Sequence, residues 1–167
     1  MIEVKIEKMY PDVILPEYSH DDDSGMDIRA YFSDEWVEKN HSWRGEINKD
    51  DYRWCEIDGQ TRSIIPTEIK VAIPNGYEIQ VRPRSGLAFK QGLTVLNSPG
   101  TIDAGFRGCL GVIIFNSNHK FSDTIRINHG DRIAQIVLQQ VPKISWKLVD
   151  SVDKTERGEG GFGSTGK

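Results

Sequence analysis

Apolar and polar residues alternate along most of this chain. Ile2, Val4 and Ile6 interleave with Glu3, Lys5 and Glu7, and Ile69, Val71 and Ile73 with Lys70 and Ala72. Tyr77, Ile79 and Val81 interleave with Glu78, Gln80 and Arg82. Later runs cover residues 110–115, Ile125 and Ile127, residues 133–138, and Ile144, Trp146 and Leu148. A period of two puts alternate side chains on opposite faces of a strand. Turn chemistry bounds the runs at Pro74-Asn75-Gly76, Ser98-Pro99-Gly100, His129-Gly130-Asp131 and Pro142. Many short strands so spaced predict an all-β domain, a sandwich or a barrel. One short helix is predicted from Ser85 to Gln91, with Gly92 as its stop.

Two stretches break the pattern. Residues 33–54 are polar, carry Trp36, Trp43 and Trp54, and have no clean period. They read as a surface insertion whose tryptophans pin it to the domain. Residues 151–167 are charged and glycine-rich and build no core element, so they are expected to be a flexible arm following a β-domain of residues 1–150.

At 167 residues the chain is long enough for one domain with one core. Twenty-one Lys and Arg against 25 Asp and Glu give a net charge of -4, which argues against a general nucleic-acid binder. A small anion held by a few local arginines stays compatible with that balance. No apolar run reaches the roughly 20 residues that a membrane helix needs, and the N-terminus has no secretory apolar region. Cys55 and Cys109 are too few for a disulfide framework. A cytoplasmic protein with two free thiols and no membrane contact is expected.

Some apparent signals carry little. Gly161-Phe162-Gly163-Ser164-Thr165-Gly166-Lys167 nearly spells a phosphate loop, but it lacks the strand before and the helix after that such a loop requires. The four histidines are scattered, and Asp21-Asp22-Asp23 reads as a solvated loop.

Five segments join turn residues to charged or hydroxyl ones. They are SGMDIRA from Ser24, RPRSGL from Arg82, NSPGTIDAGFRG from Asn97, GDRIAQ from Gly130 and RGEGGFGS from Arg157. Each alone is an ordinary turn. In this order, and over nearly the whole chain apart from 33–54, they resemble the five motifs of the trimeric dUTP pyrophosphatase (dUTPase) family.

The resemblance implies a jelly-roll-like β-barrel or sandwich, and a homotrimer in which C-terminal arms are exchanged and three active sites are shared. It implies Mg2+-dependent hydrolysis of dUTP to dUMP and pyrophosphate, water attacking the α-phosphorus. Asp103 matches the water-orienting carboxylate, Gln135 a contact to the phosphates or the water, and Asp27 an outer-shell support that holds a metal-bound water or orients Arg84. Arg84, Ser85, Gly86, Arg157 and Ser164 match phosphate contacts. Asn97, Gly100, Thr101, Ile102, Phe106, Phe162 and Gly163 match the uracil and deoxyribose pocket, with Phe162 stacking on the base. No residue is implied as a direct metal ligand, because Mg2+ would ride on phosphate and water oxygens.

Phe106 stands where most of that family has Tyr, and Cys109 where an acidic residue is common; the ring contact with the sugar is expected to survive the first change. A deoxycytidine triphosphate deaminase needs a glutamate near the base and a different third segment, neither of which is visible. A binding protein on the same scaffold stays open, with a protein partner at the 33–54 insertion.

Overall fold

The computed structural model describes residues 1–39, 53–119 and 123–161. Eleven strands and two short helices are seen among them. The strands are β1 (Lys5–Lys8), β2 (Met26–Arg29), β3 (Trp54–Ile57), β4 (Arg62–Pro66), β5 (Ile69–Ala72), β6 (Tyr77–Arg82), β7 (Leu93–Val95), β8 (Gly100–Asp103), β9 (Gly111–Asn116), β10 (Ile125–Asn128) and β11 (Arg132–Gln140). Helix α1 covers Asp34–Lys39 and α2 covers Ser85–Gln91.

All strand pairs are antiparallel. The largest sheet runs β2-β11-β6-β8 and a second runs β4-β9-β7, with two-stranded pairs β1-β5 and β10-β3. Among the described residues these ladders form four separate sheets, so the barrel is not closed. The inward faces carry the alternating residues that the sequence marks as apolar: Ile69, Val71, Ile79, Val81, Val112, Ile114, Ile127 and Ile136 are all buried, as are Ile28 and Ile65. Burial of such β-branched side chains contributes about 1.5–3 kcal/mol each and holds the layers together. No helix of the described residues is long and apolar enough to cross a membrane.

The predicted helix is found with the expected end. Gly92 sits at φ 70°, and its N–H bonds the Ala88 carbonyl. A Cβ there would lie 2.9 Å from the Asn118 and Ser117 side-chain oxygens, so both conformation and space call for glycine.

Two expectations need correction. The first concerns the insertion, where a second helix, α1, lies in a stretch without visible period. The Ser33 hydroxyl accepts from the Trp36 N–H, Asp34 and Glu35 open the first turn, and Lys39 pairs with Glu35 one turn on. Six residues are too few to display a 3.6-residue period. Trp36 packs on Phe32 at 4.8 Å between ring centroids, and Trp54 lies under the Arg126 guanidinium at 4.4 Å, so both tie this region to the domain. Trp43 lies outside the described residues, as does most of the 33–54 insertion at which a protein partner is expected.

The second concerns Ile144, Trp146 and Leu148, which alternate as a strand would but form none. They are 72%, 89% and 98% exposed, with no strand among the described residues beside them to complete a ladder.

Candidate active site

Strand register decides which candidate residues meet. On β6, Ile79 and Val81 face the core, so Glu78, Gln80 and Arg82 face outward. Gln135 of β11 lies opposite both Arg82 and Asp27 of β2, giving one outward row of Asp27, Gln135 and Arg82. Asp103, the last residue of β8, lies opposite Glu78, which lies opposite Gln139; this is another row on the same face. Arg82 donates to the Gln80 side-chain oxygen and Gln80 to Glu78, so a polar chain along β6 joins the two rows.

The rows are well separated. With strands about 4.8 Å apart and about 3.3 Å per residue along them, Asp103 lies roughly 16 Å from Gln135 and roughly 19 Å from Asp27, Cα to Cα. Arg84 and Ser85 continue from β6 beyond Arg82, farther again from Asp103. One chain therefore brings together Asp27, Gln135 and Arg84 but leaves Asp103 at a distance.

The first group is built around a shared carboxylate. Asp27 accepts from Arg84 Nε at 3.0 Å through one oxygen, and from an Arg132 terminal nitrogen at 3.1 Å through the other. Its side chain is only 15% exposed. Arg84 also donates to the Arg132 carbonyl, 3.1 Å away. Two guanidinium groups around one carboxylate leave one positive charge in excess, next to a polar cavity of about 340 Å³ lined in part by Arg84, Asn128, Arg132, the Glu56-paired Arg126 and the carboxylate of Asp131. This suits an anion.

Arg132 was legible within GDRIAQ but not singled out as a site residue. Its turn is fastened to β2 and the residues after it. Gly130, at φ 85°, donates to the Ala30 carbonyl at 2.8 Å, and Ala30 donates back to Asp131. Arg29 reaches the Gly130 carbonyl at 2.7 Å, and the Phe32 N–H donates to His129 Nδ1 at 3.2 Å.

Ser85, a phosphate contact by resemblance, stands where a serine could also cap the helix, but it does not. The N-cap is Arg84, in extended conformation and without a side-chain cap bond, so Ser85 opens the first turn and is exposed. The N–H groups of that turn lack partners inside the helix. A Cβ on Gly86 would meet open space.

The third segment is anchored by β8, which pairs with β6, Gly100 opposite Val81 and Ile102 opposite Ile79. Its return leg through Phe106 and Gly108 is irregular backbone. The Phe106 N–H closes a turn on the Asp103 carbonyl at 3.0 Å. Arg107 fastens that turn by donating to the Ala104 and Phe106 carbonyls, each at 2.7 Å, a role the sequence reading missed. Asn97 and Thr101 are exposed, and Ile102 is half-buried. The Asn97 amide lies against Gly100, where a Cβ would come within 3.2 Å of it. Among the described residues the Asp103 carboxylate has no hydrogen-bond partner. Phe106 is 42% exposed, its ring edge lying over Gly108.

The described part of the fifth segment, residues 157–161, does not join either group. Arg157 donates to the Gly160 carbonyl at 2.8 Å within its own turn, and that turn is exposed. Phe162, Gly163 and Ser164 lie outside the described residues.

Of the two thiols, Cys55 is fully buried, and burial pushes its pKa up to about 12. Cys109 is exposed, 3.7 Å from a Glu68 carboxylate oxygen, and partial burial followed by that negative charge raises its pKa. Neither is poised as a nucleophile.

Comparison with known proteins gives a consistent picture. The dUTPase family model matches residues 53–166. The deoxyuridine 5′-triphosphate nucleotidohydrolase of Desulfotalea psychrophila is 45% identical over 152 residues, covering 91% of this chain and 87% of that one. Its counterpart in Fusobacterium nucleatum subsp. nucleatum is 44% identical over 156 residues, covering 93% and 91%. Among solved structures, Staphylococcus bacteriophage 80alpha dUTPase with dUPNHPP superposes with a TM-score of 0.78 at 26% identity, covering all of both chains. A dUTPase from phage phi11 of S. aureus, described with a structural Mg(II) ion, shares the fold at TM-score 0.69 and 23% identity, covering 90% of this chain and 98% of its own.

Proposed function

The chain belongs to the dUTPase family, and on that premise we propose that it hydrolyses dUTP to dUMP and pyrophosphate by attack of water on the α-phosphorus. The observation that carries this reading is the pair of outward rows: at one end a carboxylate without a partner among the described residues, and at the other an arginine-rich, anion-favouring cluster.

The phosphate end works by position. Asp27 fixes the Arg84 guanidinium through Nε and the Arg132 carbonyl engages Nη1, which leaves Nη2 to grip phosphate oxygens. Ser85 adds a hydroxyl and, with Gly86, backbone N–H groups. Gln135, one strand from Asp27, reaches the same phosphates or the attacking water. Arg157 and Ser164 complete the grip when the arm folds over.

Magnesium fits this site only as a passenger of the substrate. Among the described residues no three His, Cys, Asp or Glu side chains cluster as a cage, and both Asp27 oxygens are engaged by arginines. Mg2+ held by phosphate and water oxygens would supply charge neutralisation of the triphosphate. Of the two roles the sequence leaves open for Asp27, orienting Arg84 is the better supported.

Asp103 orients water and accepts its proton-bearing bond, and it also meets the sugar 3′-hydroxyl; a bare carboxylate, which only accepts, suits both tasks. Asn97 and the backbone of Gly100, Thr101 and Ile102 read the uracil edge. Fixed backbone groups reject cytosine by leaving polar atoms unpaired. Phe106 packs on the deoxyribose, and Phe162 with Gly163 closes over the base.

A separation of roughly 16 Å between Asp103 and Gln135 is too long for one α-phosphate to bridge. It supports sites completed by a second copy, in a homotrimer. The exposed Ile144, Trp146 and Leu148, in the stretch that leads into the arm, support its exchange, since another copy would cover them. An apolar cavity of about 270 Å³, lined by Ile2, Val4, Tyr18, Met26, Val71 and Leu138, is suitable surface for it. Free thiols, one fully buried, support the cytoplasm as its setting.

A substrate panel with product analysis tests the reading. Pyrophosphate should be released from dUTP with Mg2+, and little from dCTP, dTTP or UTP. Asp103→Asn should lower turnover by about 10²-fold or more while dUTP still binds. Normal hydrolysis by Asp103→Asn would remove the carboxylate from its role.

A further inference from the structure

The segment that carries Phe106 contains glycines at 105 and 108 that differ in one measurable respect. A Cβ built on Gly105 would meet nothing within 4 Å. On Gly108 it would lie 2.7 Å from Phe106 Cζ, 3.1 Å from Cε2 and 3.5 Å from Cε1. Gly108 does not have a positive φ, so any L-residue could take up its backbone conformation. The demand for glycine at 108 is one of space, and the group that fills the space is the far end of one aromatic ring.

We propose that Gly108 is a positioning residue for sugar selection: its bare Cα is the seat on which the Phe106 ring rests, and this contact sets where the ring meets the 2′-carbon of the nucleotide. The inference rests on the reading of Phe106 as the residue beneath the deoxyribose. The ring is 42% exposed, so its placement depends on the surface behind it, of which Gly108 is part. Its backbone, by contrast, is fixed: the Phe106 N–H bonds Asp103 and the Phe106 carbonyl accepts from Arg107. With the Cα held, a methyl group at 108 leaves the ring one freedom, rotation about its side-chain bonds away from the glycine.

The consequence is selective. Because the atoms displaced are the tip of a flexible, half-exposed side chain, the fold absorbs the methyl group easily. The sugar contact does not, since an aromatic face rejects an added 2′-hydroxyl only by close packing and by leaving that hydroxyl unpaired. A ring moved by an ångström or two opens room for the hydroxyl or for a water beside it.

The experiment uses the full chain in three single variants and one double. Gly108→Ala should keep a thermal midpoint close to that of the parent but narrow the ratio of kcat/KM for dUTP over UTP by roughly tenfold, the scale on which apolar contacts discriminate a hydroxyl. Gly105→Ala should leave that ratio unchanged. Phe106→Ala should collapse the ratio, and Gly108→Ala added to Phe106→Ala should change it no further. An unchanged ratio in Gly108→Ala, while Phe106→Ala collapses it, overturns the seat. An unchanged ratio in Phe106→Ala overturns the reading of Phe106 itself, a result distinguishable from the first. Equal loss of the ratio in Gly105→Ala and Gly108→Ala would assign the effect to the loop as a whole and also overturn the proposal.

Discussion

If Asp103 and the Arg84–Gln135 group of one chain serve different sites, two inactive variants should rescue one another. The perturbation is a pair of chains. One carries Asp103→Asn, with its phosphate end intact; the other carries Arg84→Ala with Gln135→Ala, with its carboxylate intact. The strand register puts Asp103 roughly 16 Å from Gln135, and side chains close only part of that gap, so neither chain can repair itself internally. In a homotrimer with each site drawn from adjacent copies, a site works when one neighbour is of the second kind and the other of the first. Random mixing of equal amounts then leaves about a quarter of the sites intact. Each variant expressed alone should show only background turnover, and chains co-expressed under two affinity tags should regain about a quarter of parental turnover per site. Light scattering on the same sample reports the number of copies. Background activity in mixed trimers would refute the shared site, as would a fully active monomer.

Other outcomes follow from the same contacts. Asp27→Ala removes two charge-assisted hydrogen bonds and leaves Arg84 facing Arg132; allowing for the exposure of Arg132, it should cost about 2–3 kcal/mol, and Asp27→Asn somewhat less. For a chain of this size that is a fall of roughly 5–10 °C in midpoint, measured by calorimetry, and an unchanged midpoint would count against the cluster as described. Cys55, with its pKa near 12, should resist a thiol reagent at pH 8 in the native protein and react in denaturant. Its folded value lies above the roughly 8.5 of a free thiol, so the unfolded chain ionises first and stability should decline as the pH rises above about 8.5. Cys55→Ser should flatten that alkaline decline.

Much of this could be read in the sequence because the fold is written in a period of two. Alternation located most of the ladders, and the proline and glycine turns bounded them closely enough that α2 and its glycine stop emerge with the expected limits. The five segments also named the pieces of the site. Their grouping could not be read. Which residue of β6 lies opposite Asp103, and so how far it stands from Gln135, is a matter of register, and no local pattern declares register. Arg132 and Arg107 escaped for a related reason: each acts on a partner, Asp27 or a nearby carbonyl, that only the folded backbone supplies. The 144–148 alternation misled in the opposite way. It has the pattern of a strand and lacks a ladder partner among the described residues, since pattern reports what a segment could pair with and not where the partner is. Helix α1 was hidden by brevity.

Trp146 also has an optical meaning. An indole left 89% in water emits at long wavelength, whereas Trp36 and Trp54 sit half-buried on the domain and would change little. The chain thus carries its own fluorophore at the point where apolar cover is missing. Any surface drawn over it would be seen as a shift toward the blue, timed directly and without an added label.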